Sequence, residues 1–411
     1  MRSFESARSP RLVLVVLSAL ALPIALGCTK DEDITYASPT MATTSTGAGG
    51  DGGGGSGGAG GASPAPIEAP ADTWTWVDFA DSRCMNDTPT GIGVNLAPDS
   101  DKVLIFLEGG NACFNLTSCG VTANKNGYDG EDFAGQTGDL AERPSFVRSA
   151  ENPFRDYNFV YVPYCSGDVH GGRRAGADVG GKTRNFRGYD NMTDFLARLV
   201  PTFPNATRVV IGGVSAGGFG AAINYDQTAK AFPNADVSLL DDSGPPMGKD
   251  FVPACLQKFF VDTWGLDQTI GGLCTDCLEA DGVFMEPFTR YLTATYPDRT
   301  LALISSIHDS QISLFWGFGN DDCANVDAGF PEVPYDPALY EAGVYDLRDR
   351  ITGDAPKFFT FILDGTDGAD TTRHVWIDDP AGVSSNGTLL TDWLTAFEAQ
   401  SSGLADVPPS P

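Results

Sequence analysis

The chemistry of this 411-residue chain concentrates in five residues, Gly213-Val214-Ser215-Ala216-Gly217. They follow the β-branched run 208–211 and open a small-residue stretch, 216–232, of helical character. A serine between two glycines, on a sharp turn from strand to helix, is lifted to where its hydroxyl can reach a carbonyl carbon. The glycines are needed because the turn forces unusual backbone angles and a Cβ at either flank would crowd the serine. Such a serine performs acyl transfer through a covalent acyl intermediate. The bland alternative is a Gly-rich turn whose serine only caps the helix that follows.

A nucleophilic serine needs a base, and the chain offers three histidines, His170, His308 and His374. Where this strand-turn-helix unit serves as the nucleophile turn, the chain order is serine, acid, histidine. That order selects His374, which follows the last apolar run and a polar loop and can be delivered back over the sheet end. Asp309 is the expected acid, because it terminates a later strand than the one that carries Ser215. Asp241, Asp242, Asp364, Asp367 and Asp370 compete with it, and Asp309 has a rival role as N-cap of a helix beginning Ser310-Gln311-Ile312. Acyl transfer also needs amide donors aimed at the developing oxyanion. The Gly-Gly turn Glu108-Gly109-Gly110-Asn111, after the first apolar run, and the N–H of Ala216 are the expected donors, so Gly110, Asn111 and Ala216 form the candidate oxyanion hole.

The elements that must hold these groups are legible as apolar runs at 102–107, 158–162, 208–211, 237–240, 301–307 and 358–363. Stretches long enough for crossover helices, such as 188–200 and 216–232, separate most of them. Near-continuous hydrophobicity marks strands buried on both faces, hence an α/β fold with a mostly parallel central sheet flanked by helices. Sites in such sheets form at the carboxyl ends of strands, where each motif above falls.

Ahead of this domain, residues 1–27 combine Arg2, Arg8 and Arg11 with an apolar stretch at 12–26, the pattern of a secretory signal. Gly27-Cys28 reads as a bacterial lipobox, with Cys28 as the lipidated mature N-terminus; an ordinary signal cut nearby is the alternative. Residues 28–71, Gly-, Ser-, Thr- and Pro-rich, read as a flexible tether, and 72–411 as one catalytic domain with elaborated loops. The expected location is therefore the bacterial cell envelope or outer surface, with secretion as the variant. The formal charge is −28; loss of residues 1–27, with three arginines and Glu5, makes it −30. Such a chain is repelled by phosphate backbones and anionic lipid heads, so nucleic acid is not an expected partner and membrane contact is expected only through the anchor. A monomer without metal or cofactor is expected. Of nine cysteines, removal of Cys28 leaves eight, an even number in an oxidising compartment, which favours disulfides over a redox or zinc role for Cys274-Thr-Asp-Cys277.

Five blocks occur in order: FLEGGNACFNLTSC, VYVPYCSGDVHGG, GVSAGGFGAAINYD, LLDDSG and SSIHDSQI. Together they resemble the pectin acetylesterase and Notum carboxylesterase family over roughly residues 74–374. The resemblance implies an α/β-hydrolase-like fold with loop and cap insertions and disulfides, removing acyl groups from oxygen esters without metal or cofactor. It implies Ser215 as nucleophile, Asp309 as acid, His374 as base, and Gly110, Asn111 and Ala216 at the oxyanion. Asn111 stands where many members carry tryptophan. The resemblance also implies pairing of Cys84 with Cys165 and of Cys113 with Cys119. The pairing of Cys255, Cys274, Cys277 and Cys323 stays open, their bridges pinning a cap-like insertion at 251–296. The implied substrate is an O-acetyl ester on polysaccharide, or a longer acyl ester; a carbohydrate-binding surface protein without activity is the reading from a different class. Arg173, Arg174, Lys182, Arg184 and Arg187 cluster near the expected site edge, where they would recruit uronates or serve as scattered surface ion pairs.

Overall fold

Val103, Ile105 and Leu107 point to one side of a strand and Leu104 and Phe106 to the other, and all five are buried. That double burial makes the run KVLIFL uniformly apolar, and it recurs through the sheet. The computed structural model describes residues 64–353, 355–365 and 373–410, which fall into one compact unit. Its strands are β1 (Thr75–Phe79), β2 (Thr90–Asn95), β3 (Lys102–Leu107), β4 (Asn158–Val162), β5 (Arg174–Val179), β6 (Lys182–Phe186), β7 (Arg208–Val214), β8 (Asp236–Asp242), β9 (Leu301–Ser306) and β10 (Phe358–Leu363). Eight of them form one sheet in the order β1-β2-β4-β3-β7-β8-β9-β10, while β5 and β6 make a separate hairpin. From β4 to β10 the sheet is parallel; β1 and β2 are antiparallel additions at its edge.

All six apolar runs expected as strands are strands of this sheet. Of the additions, β2 was not legible because Gly91 and Gly93 interrupt its apolar pattern, and β1, Thr-Trp-Val-Asp-Phe, is short and carries an aspartate. A Cβ on Gly93 would lie 2.2 Å from the Phe133 ring, so the strand is thinned to let a helix pack on it.

The helices are α1 (Leu116–Val121), α2 (Gly130–Glu142), α3 (Gly188–Thr202), α4 (Ala216–Ala231), α5 (Ala254–Trp264), α6 (Ile270–Leu273), α7 (Met285–Thr295), α8 (Ser310–Trp316), α9 (Pro337–Thr352) and α10 (Leu390–Glu398). Two cores result. One face of the sheet packs against α3, α4, α9 and the helices α5 to α7 of the expected insertion; the other packs against α2, α10 and Trp376-Ile377. Chain-encoded caps start several helices: Asp129 with Asp132 closes a capping box on α2, and Asp336 precedes Pro337 at the first turn of α9.

Four disulfides are present, Cys84–Cys165, Cys113–Cys119, Cys255–Cys323 and Cys274–Cys277. The first two are the pairs the resemblance implies; the last two resolve the pairing left open and leave the CxxC bonded within itself. The expected signal peptide, Cys28 and most of the expected tether lie outside the described residues, as do Asp367 and Asp370. The end of that tether is part of the domain. Ile67 is 5 % exposed and joins the core, its N–H bonded to Thr202 Oγ1 at 2.8 Å, so packing extends ahead of residue 72. A single isoleucine among prolines and alanines gives no periodic signal for this.

Candidate active site

The site lies where the connections leave opposite sides of β3, at the carboxyl ends of β3, β7, β8 and β9. Ser215, between β7 and α4, has φ 58° and ψ −121°, a conformation an L-residue holds only where surroundings enforce it. The enforcing contacts are tight. A Cβ on Gly213 would lie 2.3 Å from the Gly217 carbonyl oxygen, and one on Gly217 2.0 Å from that of Leu107. The Ser215 N–H is bonded to the Asp242 carbonyl at 2.7 Å, tying the turn to β8.

The Gly-Gly turn lies against this elbow: a Cβ on Gly109 would be 2.9 Å from Ser215 Cβ. Gly110 has φ 152° and Asn111 φ 68°, a left-handed value that asparagine tolerates better than most residues. Asn111 Nδ2 donates to the Val121 carbonyl at 2.9 Å, and its Oδ1 accepts from Gln311 Nε2 at 3.2 Å, so this residue braces the turn against α1 and α8. Among the described residues, the N–H groups of Gly110, Asn111 and Ala216 find no acceptor, which leaves them for a ligand oxygen.

Asp309 is 1 % exposed and divides its carboxylate between two tasks. Oδ1 caps α8, accepting from the N–H groups of Gln311 and Ile312 at 2.9 Å each. Oδ2 accepts from His374 Nδ1 at 2.7 Å. That bond assigns the proton to Nδ1 and leaves Nε2, which is buried and unpartnered, as the basic nitrogen. No hydrogen bond joins Ser215 Oγ to Nε2 among the described residues; in sites without substrate such contacts are commonly long.

The competing histidines are engaged elsewhere. His170 is buried, its Nε2 donating to the Glu108 carbonyl at 2.9 Å, and burial holds its pKa down at about 4. It is a neutral brace behind the oxyanion turn. His308 Nδ1 faces Asp364, 2.9 Å from its carbonyl and 3.1 Å from its carboxylate. The competing acids are also committed: Asp241 Oδ1 accepts from Gly244 N–H, and Asp242 Oδ2 accepts from the N–H groups of Trp376 and Ile377 at 2.7 and 2.8 Å. Asp242 thus holds the loop that carries His374. Sequence reading weighed it only as a rival acid; its place at a strand end before Ser-Gly was the available hint.

Beside Ser215 opens a cavity of about 50 Å³, lined by Phe219, Phe260, Trp264, Phe284, Met285 and Trp316. A larger apolar cavity, about 210 Å³, lies on the other face of the sheet against Phe106, Gly212 and Leu394 and does not include Ser215, so size alone does not locate the chemistry. Of the basic cluster on and around the β5–β6 hairpin, Arg173 and Arg187 share Asp190 at 2.7 and 3.0 Å, and Arg174 donates to the Asp262 carbonyl.

A family model described as Pectinacetylesterase matches residues 74–311, a span that holds Ser215, Asp309, Gly110, Asn111 and Ala216 but not His374. Among curated proteins, the palmitoleoyl-protein carboxylesterase NOTUM of Schmidtea mediterranea is 35 % identical over 130 residues, 31 % of this chain and 24 % of that protein. The Mus musculus protein of the same name is 30 % identical over 173 residues, 39 % of this chain and 33 % of that one. The chain therefore matches about a quarter to a third of the length of these relatives. Among solved structures, the Wnt deacylase Notum from Drosophila superposes with a TM-score of 0.54 at 18 % identity, covering 82 % of this chain and 96 % of that one, a likeness of fold.

Proposed function

This chain belongs to the pectinacetylesterase family, and from that premise we propose that it is a serine carboxylic ester hydrolase acting by a Ser215-His374-Asp309 mechanism. The observation that carries the reading is the 2.7 Å bond from His374 Nδ1 to Asp309, with Nε2 left buried and unpartnered. His374 Nε2 takes the Ser215 proton as Oγ attacks the ester carbonyl, and the N–H groups of Gly110, Asn111 and Ala216 receive the oxyanion. Asp309 fixes the tautomer and stabilises the imidazolium. The alcohol departs with the proton from His374, and water then releases the acid by the same route.

The substrate we propose is a short O-acyl ester, foremost O-acetyl, on a polysaccharide. A cavity of about 50 Å³ beside the nucleophile supports a short acyl group, since a cavity of roughly 150 Å³ is the kind that takes a ligand as compact as benzene. The aromatic lining favours a second reading, in which the cavity widens for a longer chain, as the relatives' name suggests. The test is hydrolysis of p-nitrophenyl esters from two to sixteen carbons. Activity highest at two to four carbons and abolished in Ser215→Ala is expected; a maximum at the long end would replace acetyl by a fatty acyl group, and activity surviving in Ser215→Ala would end the proposal.

The enzyme works, in this proposal, as a monomer tethered through lipidated Cys28 to the cell envelope. Metabolic labelling with a lipid precursor should mark the wild type and not Cys28→Ser; equal labelling of both would refute the anchor.

A further inference from the structure

We propose that Asp242, held as a neutral carboxylic acid, and Ser243 form a hydrogen-bond clamp that positions the His374 loop for proton transfer. The proposal rests on the reading of Ser215, His374 and Asp309 as the triad. Both clamp residues are fully buried at the end of β8. Asp242 reaches the two sides of the reaction. Its carbonyl accepts the Ser215 N–H at 2.7 Å, and its Oδ2 accepts the N–H groups of Trp376 and Ile377, two and three residues beyond the base.

Proton counting decides the ionisation. Ser243 Oγ lies 2.8 Å from Asp242 Oδ1 and within hydrogen-bond reach of the His374 carbonyl oxygen. A hydroxyl has one proton, and an ionised carboxylate and a carbonyl both only accept. With Asp242 ionised, one of these two close oxygen pairs has no proton between them. With a proton on Oδ1 the chain is complete: Oδ1–H donates to Ser243 Oγ, whose own proton goes to the His374 carbonyl, and Oδ2 still takes both N–H groups.

The surroundings agree. Burial, the main cause, with help from the Asp378 carboxylate, pushes Asp242 up to about 7. The other titratable or charged groups linked to it are Asp241 on β8, His374, whose carbonyl meets Ser243 and whose ring meets Asp309, and, facing Asp378, Arg373 and Arg143, whose Nε lies 3.6 Å from Asp378. Arg143 faces Asp378, and none of the hydrogen bonds to the Asp242 carboxyl comes from a cation.

Ionisation above neutral pH removes the Oδ1 donor and frees the His374 carbonyl. The wild type should therefore lose kcat between pH 7 and 9 on p-nitrophenyl acetate with KM unmoved. Asp242→Asn, whose amide donates to Ser243 as the protonated acid does, should keep kcat within about threefold of wild type at pH 7 and lack the alkaline loss. Ser243→Gly should lower kcat by about 100-fold without raising KM, the cost of a misplaced base. Its fold should survive, because φ at Ser243 is 66°, a value glycine takes without strain.

An alkaline loss in Asp242→Asn equal to that of wild type would overturn the proposal, as would an unchanged kcat in Ser243→Gly. Should Asp242→Asn fail to fold, a wild-type kcat flat from pH 7 to 9 overturns it alone. Ser215→Ala run in parallel separates the two ideas: if that variant stays active, the triad reading has failed; if it is dead, the outcomes above speak to the clamp.

Discussion

Asp309 has two oxygens and two partners, and that division explains why its two sequence readings, triad acid and helix cap, were never exclusive. Asp309→Asn can keep Oδ1 on the α8 amides but turns an NH₂ toward His374 Nδ1. The imidazole must then take the other tautomer and lose its base. The expected result is a fall in kcat of roughly 10⁴-fold with the melting temperature nearly unchanged. Asp309→Ala should add a stability loss of about 1 kcal/mol for the missing cap, read by thermal unfolding. Ser215 was legible because its glycines announce a turn, and His374 because it follows the last strand and a polar loop while His170 precedes the serine. The neutral brace at His170 and the clamp at Asp242 were not, since a buried histidine and a strand-end aspartate carry no mark of their partners in sequence.

The strand-turn-helix unit of β7 and α4 accepts no added atom where it crosses β3. Gly217→Ala should abolish activity and cost several kcal/mol, because its methyl would sit 2.0 Å from a backbone carbonyl oxygen that cannot swing aside. Gly135, inside α2, is the control: nothing lies within 4 Å of a Cβ built there, so Gly135→Ala should raise stability by roughly 0.5–1 kcal/mol and leave hydrolysis alone. Both are read from melting temperature and initial rate, and equal effects would mean that close approach of the backbones does not govern the turn. Inner strands were readable because burial on both faces makes them apolar throughout. The edge strand β2 was not, because its glycines make room for neighbours, Gly91 for the Val77 backbone of β1 and Gly93 for the Phe133 ring of α2.

Across the whole molecule, Cys255–Cys323 closes 68 residues and Cys274–Cys277 only three. If loop closure governs their worth, removing the first pair by serine substitution should cost about 4 kcal/mol and the second about 2 kcal/mol or less, measured by denaturant unfolding; equal losses would point instead to local packing. The pairings around the cap could not be read from spacing, since four cysteines admit three arrangements. The groups of the proposed site come from four stretches, 110–111, 215–216, 309 and 374, brought together by the order of the parallel strands. Seen as inheritance, that is an indivisible estate. A cut of the chain anywhere between residues 111 and 374 divides the set between two fragments, neither holding all of it. Shuffling can trade what lies ahead of residue 110 or the final helix, but the reactive constellation passes on whole or not at all.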